Sequence, residues 1–158
     1  MSGKHDENAP RHYYDACTLE QRMAYTEIIN RKNPNFSVIS HLSLGEAYGN
    51  EFAKGEVASR AFTNLIEKMR DYFHLAGNDG VDAILLKVKE YFPRLSITDA
   101  IHLSTAIKNQ CLAFRTADLD LYGLDDKKVK KLASEFELPN FCISKMDNKS
   151  FKAKKGRY

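Results

Sequence analysis

Long apolar runs are missing from this chain of 158 residues: none approaches the roughly 20 residues that a bilayer crossing needs. Met1 to Pro10 is polar and charged, without the apolar centre of a secretory signal. A helical membrane protein is therefore excluded, and the expected location is the cytoplasm. Cysteine is scarce too. Cys17, Cys111 and Cys142 are odd in number and lack Cys-x-x-Cys spacing, which argues against a disulfide framework or a zinc site and for buried, reduced thiols. No internal repeat is found, nor any low-complexity segment before the C-terminal tail. An excess of one charge is also lacking: 24 Lys and Arg face 21 Asp and Glu, a net +3, which permits a nucleic-acid partner without demanding one.

What is present suffices for one domain with a sizeable core, since 43% of residues are hydrophobic. Residues 1–10 are expected to be disordered, 11–143 to fold, and 144–158 to form a basic tail. His12-Tyr13-Tyr14 reads as a short strand ending at Asp15. Thr18 and Gln21 have the spacing of a capping box, which predicts a helix from Leu19 to Arg31, stopped by Asn33-Pro34-Asn35. Phe36 to Ile39 predicts a second strand, with Ser40 as N-cap of the next helix. In that helix Leu42, Gly45, Glu46, Gly49 and Phe52 share one stripe, expected to face inward. Glu46 then carries a carboxylate into the interior, either as part of a site or paired with a buried Arg or Lys, and the two glycines admit a neighbouring backbone.

Two apolar stripes follow, Ala58, Phe62, Leu65, Ile66, Met69 and Phe73, then Val81, Ile84, Leu85, Val88 and Phe92. With Gly77-Asn78-Asp79-Gly80 as the turn they predict a helical hairpin packed in the core, a groove or dimer face being the other use of such stripes. Pro93 ends the second helix, and Ser96 or Thr98 caps another that buries Ala100, Leu103, Ser104 and Ile107. Asp99 lies in its first turn, where free amides and the helix dipole favour a carboxylate, although Ser96-x-x-Asp99 is also a structural capping box. His102 falls on the polar side with Thr105 and Asn109 and reads as a solvent-facing or hydrogen-bonding residue rather than a base.

Cys111 to Phe114 predicts the third strand, followed by Asp118 and Asp120, which as a pair are equally good turn formers. A helix from Asp126 to Phe136 buries Val129, Leu132, Ala133 and Phe136 and turns Lys127, Lys128, Lys130 and Lys131 outward, and Phe141 to Ile143 adds a last strand. Acids in these places, in the first turn of a helix and just past a strand, point into one crevice of an open α/β sheet, because such sheets bind ligands beyond the carboxyl ends of their strands.

Taken in order, Tyr14-Asp15-Ala16, Ser40-x-x-Ser43-x-x-Glu46, Thr98-Asp99-Ala100-Ile101-His102-Leu103-Ser104-Thr105-Ala106 and Phe114-Arg115-Thr116-Ala117-Asp118 resemble the PIN-domain nucleases over residues 11–143. The resemblance implies a three-layer α/β/α fold with a central, mainly parallel sheet, and three or four acids that hold Mg²⁺ or Mn²⁺ and cleave RNA. The implied acids are Asp15, Glu46, Asp99 and Asp118, with Asp120, Thr116 and Ser43 as accessory residues. The chain departs from the family at Cys17, where a small hydroxyl or amide residue is usual.

The chemistry agrees with that resemblance. Converging carboxylates repel one another unless a divalent cation neutralises them, and hard oxygen donors suit Mg²⁺ or Mn²⁺. Such an ion activates water for in-line attack on phosphorus, leaving 5′-phosphate and 3′-hydroxyl ends without a protein nucleophile. Asp15, Asp99 and Asp118 are assigned to metal ligation, and Glu46 to ligation or to orienting the water. Lys127, Lys128 and Lys131, with Lys152, Lys154 and Lys155 of the tail, would track the RNA backbone, and Phe151 or Tyr158 would stack on a base. The resemblance further implies either the toxin of a VapC-like toxin–antitoxin pair, a homodimer restrained by a small antitoxin, or a stand-alone RNA-processing nuclease. Two other readings are weighed: a PIN-like scaffold that binds RNA or protein without cutting, and a phosphatase built on Asp118-Leu119-Asp120, which that pair's late position disfavours.

Overall fold

Short β-forming stretches separated by amphipathic helices dictate a layered α/β arrangement. The computed structural model describes residues 10–147. Its strands are β1 (His12–Tyr14), β2 (Ser37–Ser40), β3 (His74–Ala76), β4 (Ala113–Thr116) and β5 (Cys142–Lys145). They form one all-parallel sheet in the order β3-β2-β1-β4-β5. Eight α-helices accompany them among the described residues: α1 (Ala16–Glu20), α2 (Met23–Arg31), α3 (His41–Ala53), α4 (Glu56–Met69), α5 (Asp82–Tyr91), α6 (Ile97–Lys108), α7 (Leu119–Tyr122) and α8 (Asp126–Ser134). None is long and apolar enough to cross a membrane.

The period-2 alternation of a strand divides the core. Tyr13, Val38 and Phe114 face α5, α6 and α8 through Val88, Phe92, Leu103, Ile107, Val129 and Leu132. Tyr14 and Ile39 face the opposite way, toward Leu19, Ile28, Ala47, Phe62 and Ile66 of α1 to α4. With helices covering both faces, the inner strands are largely buried, β2 throughout, while the edge strands β3 and β5 stay partly open to solvent. The three-layer α/β/α architecture is thus present. Cys17, Cys111 and Cys142 are free thiols, but only Cys111 is fully buried.

Four local expectations need correction. The helix expected from Leu19 to Arg31 is two, because Arg22 adopts a left-handed φ of 58° between α1 and α2, and the first cap is Asp15, not Thr18. Asp15 Oδ1 accepts from the Thr18 amide at 3.1 Å, while the Thr18 hydroxyl donates back to the Asp15 carbonyl at 2.9 Å. The supposed hairpin is broken by β3, so α4 and α5 lie on opposite faces of the sheet. Its sequence, His74-Leu75-Ala76, has no β-branched residue to announce a strand. The α3 stripe of Gly45, Glu46, Gly49 and Phe52 lies outward: Phe52 is 56% exposed, and Ser43, Ala47 and Glu51 are buried instead. A Cβ at Gly45 or Gly49 would meet nothing within 4 Å, so neither glycine serves a close approach. Lastly, β2, β4 and β5 each start one or two residues later than expected. Before β2, Pro34–Phe36 forms a 3₁₀ turn capped by Asn33.

On the α2 side, one ionic cluster fastens four elements. Arg115 of β4 grips Glu27 of α2 with two nitrogens at 2.8 and 3.2 Å, the Tyr14 hydroxyl of β1 donates to the same carboxylate, and Arg115 reaches Ser144 of β5 at 2.5 Å. Burial alone would raise the Glu27 pKa, but hydrogen bonds from His12, Arg115 and Tyr14 and the guanidinium charge outweigh it and hold the carboxyl at about 2. A depressed carboxyl stabilises the fold above its unfolded value of 4.5 and loses that contribution as pH falls toward about 2. Glu27→Gln is therefore expected to cost roughly 2–3 kcal/mol in urea unfolding at pH 7. The gap to the parent should narrow between pH 5 and pH 3, and a gap constant over that range would show that the ionised pair is not its source.

Candidate metal centre

The register sets His12, Ser37 and Ala113 level, so the residues one past Tyr14, Ile39 and Arg115 are Asp15, Ser40 and Thr116, side by side at the carboxyl edge of the sheet. Between β1 and β4 the following helices leave to opposite faces, and the crevice of an open parallel sheet lies at such a switch point. Asp15 is buried there, 4% exposed. The Thr116 hydroxyl donates to Asp15 Oδ2 at 2.6 Å and accepts the Asp118 amide at 2.9 Å, so one side chain fixes both the first acid and the turn that carries the fourth. Asp118 in turn caps α7, accepting the Asp120 amide at 2.9 Å. Across the crevice Ser96 caps α6 by accepting the Asp99 amide at 3.1 Å, which sets Asp99 in the first turn.

Carboxylate oxygens of Asp99, Asp118 and Asp120 lie within 4.8 Å of one another. Asp120, expected only as an accessory, stands inside this trio, while Asp15 adjoins it through Thr116. Crowding shows in the protonation equilibria. The Asp99 carboxyl is raised above the ordinary range by burial and then by the Asp118 charge. Asp15 is raised by burial and by Asp118, against hydrogen bonds from Thr116 and Thr18. Burial and the charges of Asp15 and Asp118 push the nearby Cys17 thiol up to about 11. A set of hard oxygen donors that disfavour one another's charge fits a divalent cation of the Mg²⁺ or Mn²⁺ type, which removes the repulsion by binding.

Glu46 belongs to a second group, joined to the first by His102. His102 Nε2 lies 2.7 Å from Glu46 Oε1 and Nδ1 lies 2.6 Å from the Tyr13 hydroxyl, which is 2.8 Å from Ser40 Oγ and 3.1 Å from Ser43 Oγ. The Ser43 hydroxyl donates to the Tyr14 carbonyl at 3.1 Å. A carboxylate only accepts, so in the neutral imidazole Nε2–H donates to Glu46 and Nδ1 accepts from Tyr13. Burial raises the Tyr13 phenol far above its ordinary range, keeping it the donor this arrangement needs. His102 is therefore a hydrogen-bonding residue as expected, but not solvent-facing: it is 2% exposed.

Ser43, expected as an accessory residue, supports this network rather than the acid trio. Asn78 ties the two helices that carry it, accepting the Leu42 amide of α3 at 3.0 Å and donating to Thr105 of α6 at 2.9 Å. Sequence reasoning missed Tyr13 and Asn78 altogether. His102 could have been found, since it follows Asp99 by one helical turn and so shares its side of α6. The basic residues divide. Lys127, Lys128 and Lys131 are exposed on α8, opposite its buried Val129, Leu132 and Ala133, whereas Lys130 is half-buried and donates to the Phe141 carbonyl at 3.3 Å. Lys152, Lys154, Lys155, Phe151 and Tyr158 lie outside the described residues.

No protein-family model and no curated protein matches the sequence. Solved structures do match the fold. PAE2754 from Pyrobaculum aerophilum superposes with a TM-score of 0.57 at 19% identity, over 82% of this chain and 97% of that one. VapBC from Salmonella typhimurium, crystallised with DNA, gives 0.56 at 14% identity over 86% and 98%. VapBC2 from Rickettsia felis, crystallised on a DNA fragment from its promoter, gives 0.56 at 11% identity over 86% and 99%. Near-complete coverage of each partner, an all-parallel sheet in the order 3-2-1-4-5 and helices on both faces establish that this chain has a VapC-like PIN-domain fold.

Proposed function

We propose that the protein is a metal-dependent endoribonuclease that hydrolyses RNA phosphodiester bonds at the acidic crevice. The observation that carries this reading is the convergence of Asp99, Asp118 and Asp120 within 4.8 Å, next to buried Asp15, at the carboxyl edge of the sheet. These residues would hold Mg²⁺ or Mn²⁺, with Asp15 kept in place by Thr116 and Glu46 at the margin to orient water or complete the ligand set. When bound, the ion supplies Lewis acidity toward the scissile phosphate and acidifies water for attack on phosphorus. The protein's own residues hold the acids converged through Ser96, Thr116 and the capped helix starts. Cys17 takes no part as a nucleophile, since its thiol, pushed up to about 11, stays protonated at neutral pH.

Lys127, Lys128 and Lys131 on α8, together with Lys152, Lys154 and Lys155, would meet the RNA backbone and make affinity fall with salt. Because two of the structures sharing the fold are VapBC assemblies on DNA, we assign the chain to the toxin half of a toxin–antitoxin pair, with a small antitoxin as partner and a homodimer as its working form. Stand-alone RNA processing is the related alternative.

Metal-free Asp118→Asn keeps the α7 cap, since Asn caps as well as Asp, while removing one crowded charge. It is expected to melt ~2–4 °C above the parent in EDTA and to gain less than the parent when Mn²⁺ is added, as followed by differential scanning calorimetry. A metal-free variant that melts below the parent would contradict the repulsion. For activity, the purified chain with Mn²⁺ should cut a structured RNA, and Asp99→Asn should slow it by about 100-fold or more, beyond the roughly 10–100-fold that partners of metal ligands cost. Cutting that survives both this substitution and EDTA would exclude the site. An RNA that is bound but never cut would favour the non-cleaving scaffold.

A further inference from the structure

Glu46 lies half-buried on α3 between exposed Gly45 and Gly49, a glutamate with three rotatable bonds, and its Oε1 is met at 2.7 Å by a ring that is 2% exposed. That ring is itself fixed. Tyr13 is fully buried, its phenol lies 2.6 Å from Nδ1, and its ring packs against His102 at 5.8 Å and Phe114 at 4.8 Å between centroids. Behind Tyr13 stands Ser40, which accepts the Ser43 amide at 3.1 Å as N-cap of the very helix that bears Glu46. The loop closes on itself: Ser40, Tyr13, His102, Glu46 and back along α3. Such a ring of buried polar groups specifies one arrangement.

We propose that His102 is the positioning residue of the acidic crevice, holding Glu46 Oε1 through Nε2 and taking its own orientation from the Tyr13 hydroxyl. This rests on the nuclease reading above. His102 touches no reacting atom; it acts through Glu46, as the partner of a ligand acts through the ligand. The arrangement selects one tautomer and one ring orientation, so Glu46 presents a single rotamer to water or ion in place of many. Tyr13 joins this positioning because, without its donor, Nδ1 would be left to the Ser43 hydroxyl, which is farther off at 3.4 Å and already donates to the Tyr14 carbonyl.

The test begins with the parent's cleavage of a labelled RNA with Mn²⁺ and its loss in Asp99→Asn. A parent that does not cut brings down the nuclease reading and the positioning role with it. Given a cutting parent, His102→Gln is expected to lower kcat by about 10–100-fold with KM within twofold, and Tyr13→Phe to lower it by a smaller factor in the same way. The double variant His102→Gln/Glu46→Gln should be no slower than Glu46→Gln alone, because the two residues act as one unit. Independently of activity, the His102 Nε2–H resonance in metal-free protein should move on Glu46→Gln. Multiplicative losses in the double variant, a KM effect in place of a kcat effect, or a His102 resonance indifferent to Glu46→Gln would overturn the assignment while leaving the nuclease intact. Should His102→Gln fail to fold by circular dichroism, Tyr13→Phe with Glu46→Gln provides the same cycle.

Discussion

Like charges held closer than they would choose are the constraint around which this protein is arranged. Carboxylates of Asp99, Asp118 and Asp120 cannot approach to within 4.8 Å unless something opposes their repulsion. In the chain alone, that opposition comes from local donors: the Ser96 hydroxyl beside the Asp99 carboxylate, the Asp120 amide under Asp118, and the Thr116 hydroxyl and Thr18 amide on Asp15. All four acids, Asp15, Asp99, Asp118 and Asp120, therefore double as first-turn or capping groups, where the backbone presents unpaired N–H groups. The folding of helix starts and the assembly of the crevice are the same event.

The parallel sheet supplies the meeting place. Level strand ends place Asp15, Ser40 and Thr116 in a row, and each begins a connection of its own. From that row the acids converge on one side of β1 and the His102 network on the other flank, with Tyr13 reaching up from the core on the α6 face. On the opposite face of the sheet, Glu27 and Arg115 lock the other layer, so the strand that leads to Thr116 and Asp118 is anchored on one side by an ion pair and at its end by a hydroxyl.

Much of this could be read in the residues. Ser40 and Ser96 announced their caps, and the acids at 15, 99 and 118 lay where an open sheet collects ligands. Packing stripes on α4, α6 and α8 identified most of the apolar residues those helices bury. What could not be read had definite causes. The strand at His74–Ala76 is three residues long with no β-branched side chain, and without it two helices on opposite layers look like neighbours. The Arg22 kink depends on a left-handed backbone at a residue type that gives no warning. The α3 stripe misled because glycines count as apolar, so an outward face that is bare rather than hydrophobic imitated a buried one. Tyr13 read as a strand residue only, since nothing local reveals that a phenol from β1 will end beside a histidine 89 positions away.

That bare face of α3 has its own meaning. On either side of Glu46, Gly45 and Gly49 leave main chain uncovered, with room for a methyl group that the helix would energetically welcome. A helix that forgoes alanine at two exposed turns is held less by its own propensity than by its neighbours, and beside those bare turns the His102 ring, gripping Glu46 at 2.7 Å, is one such hold.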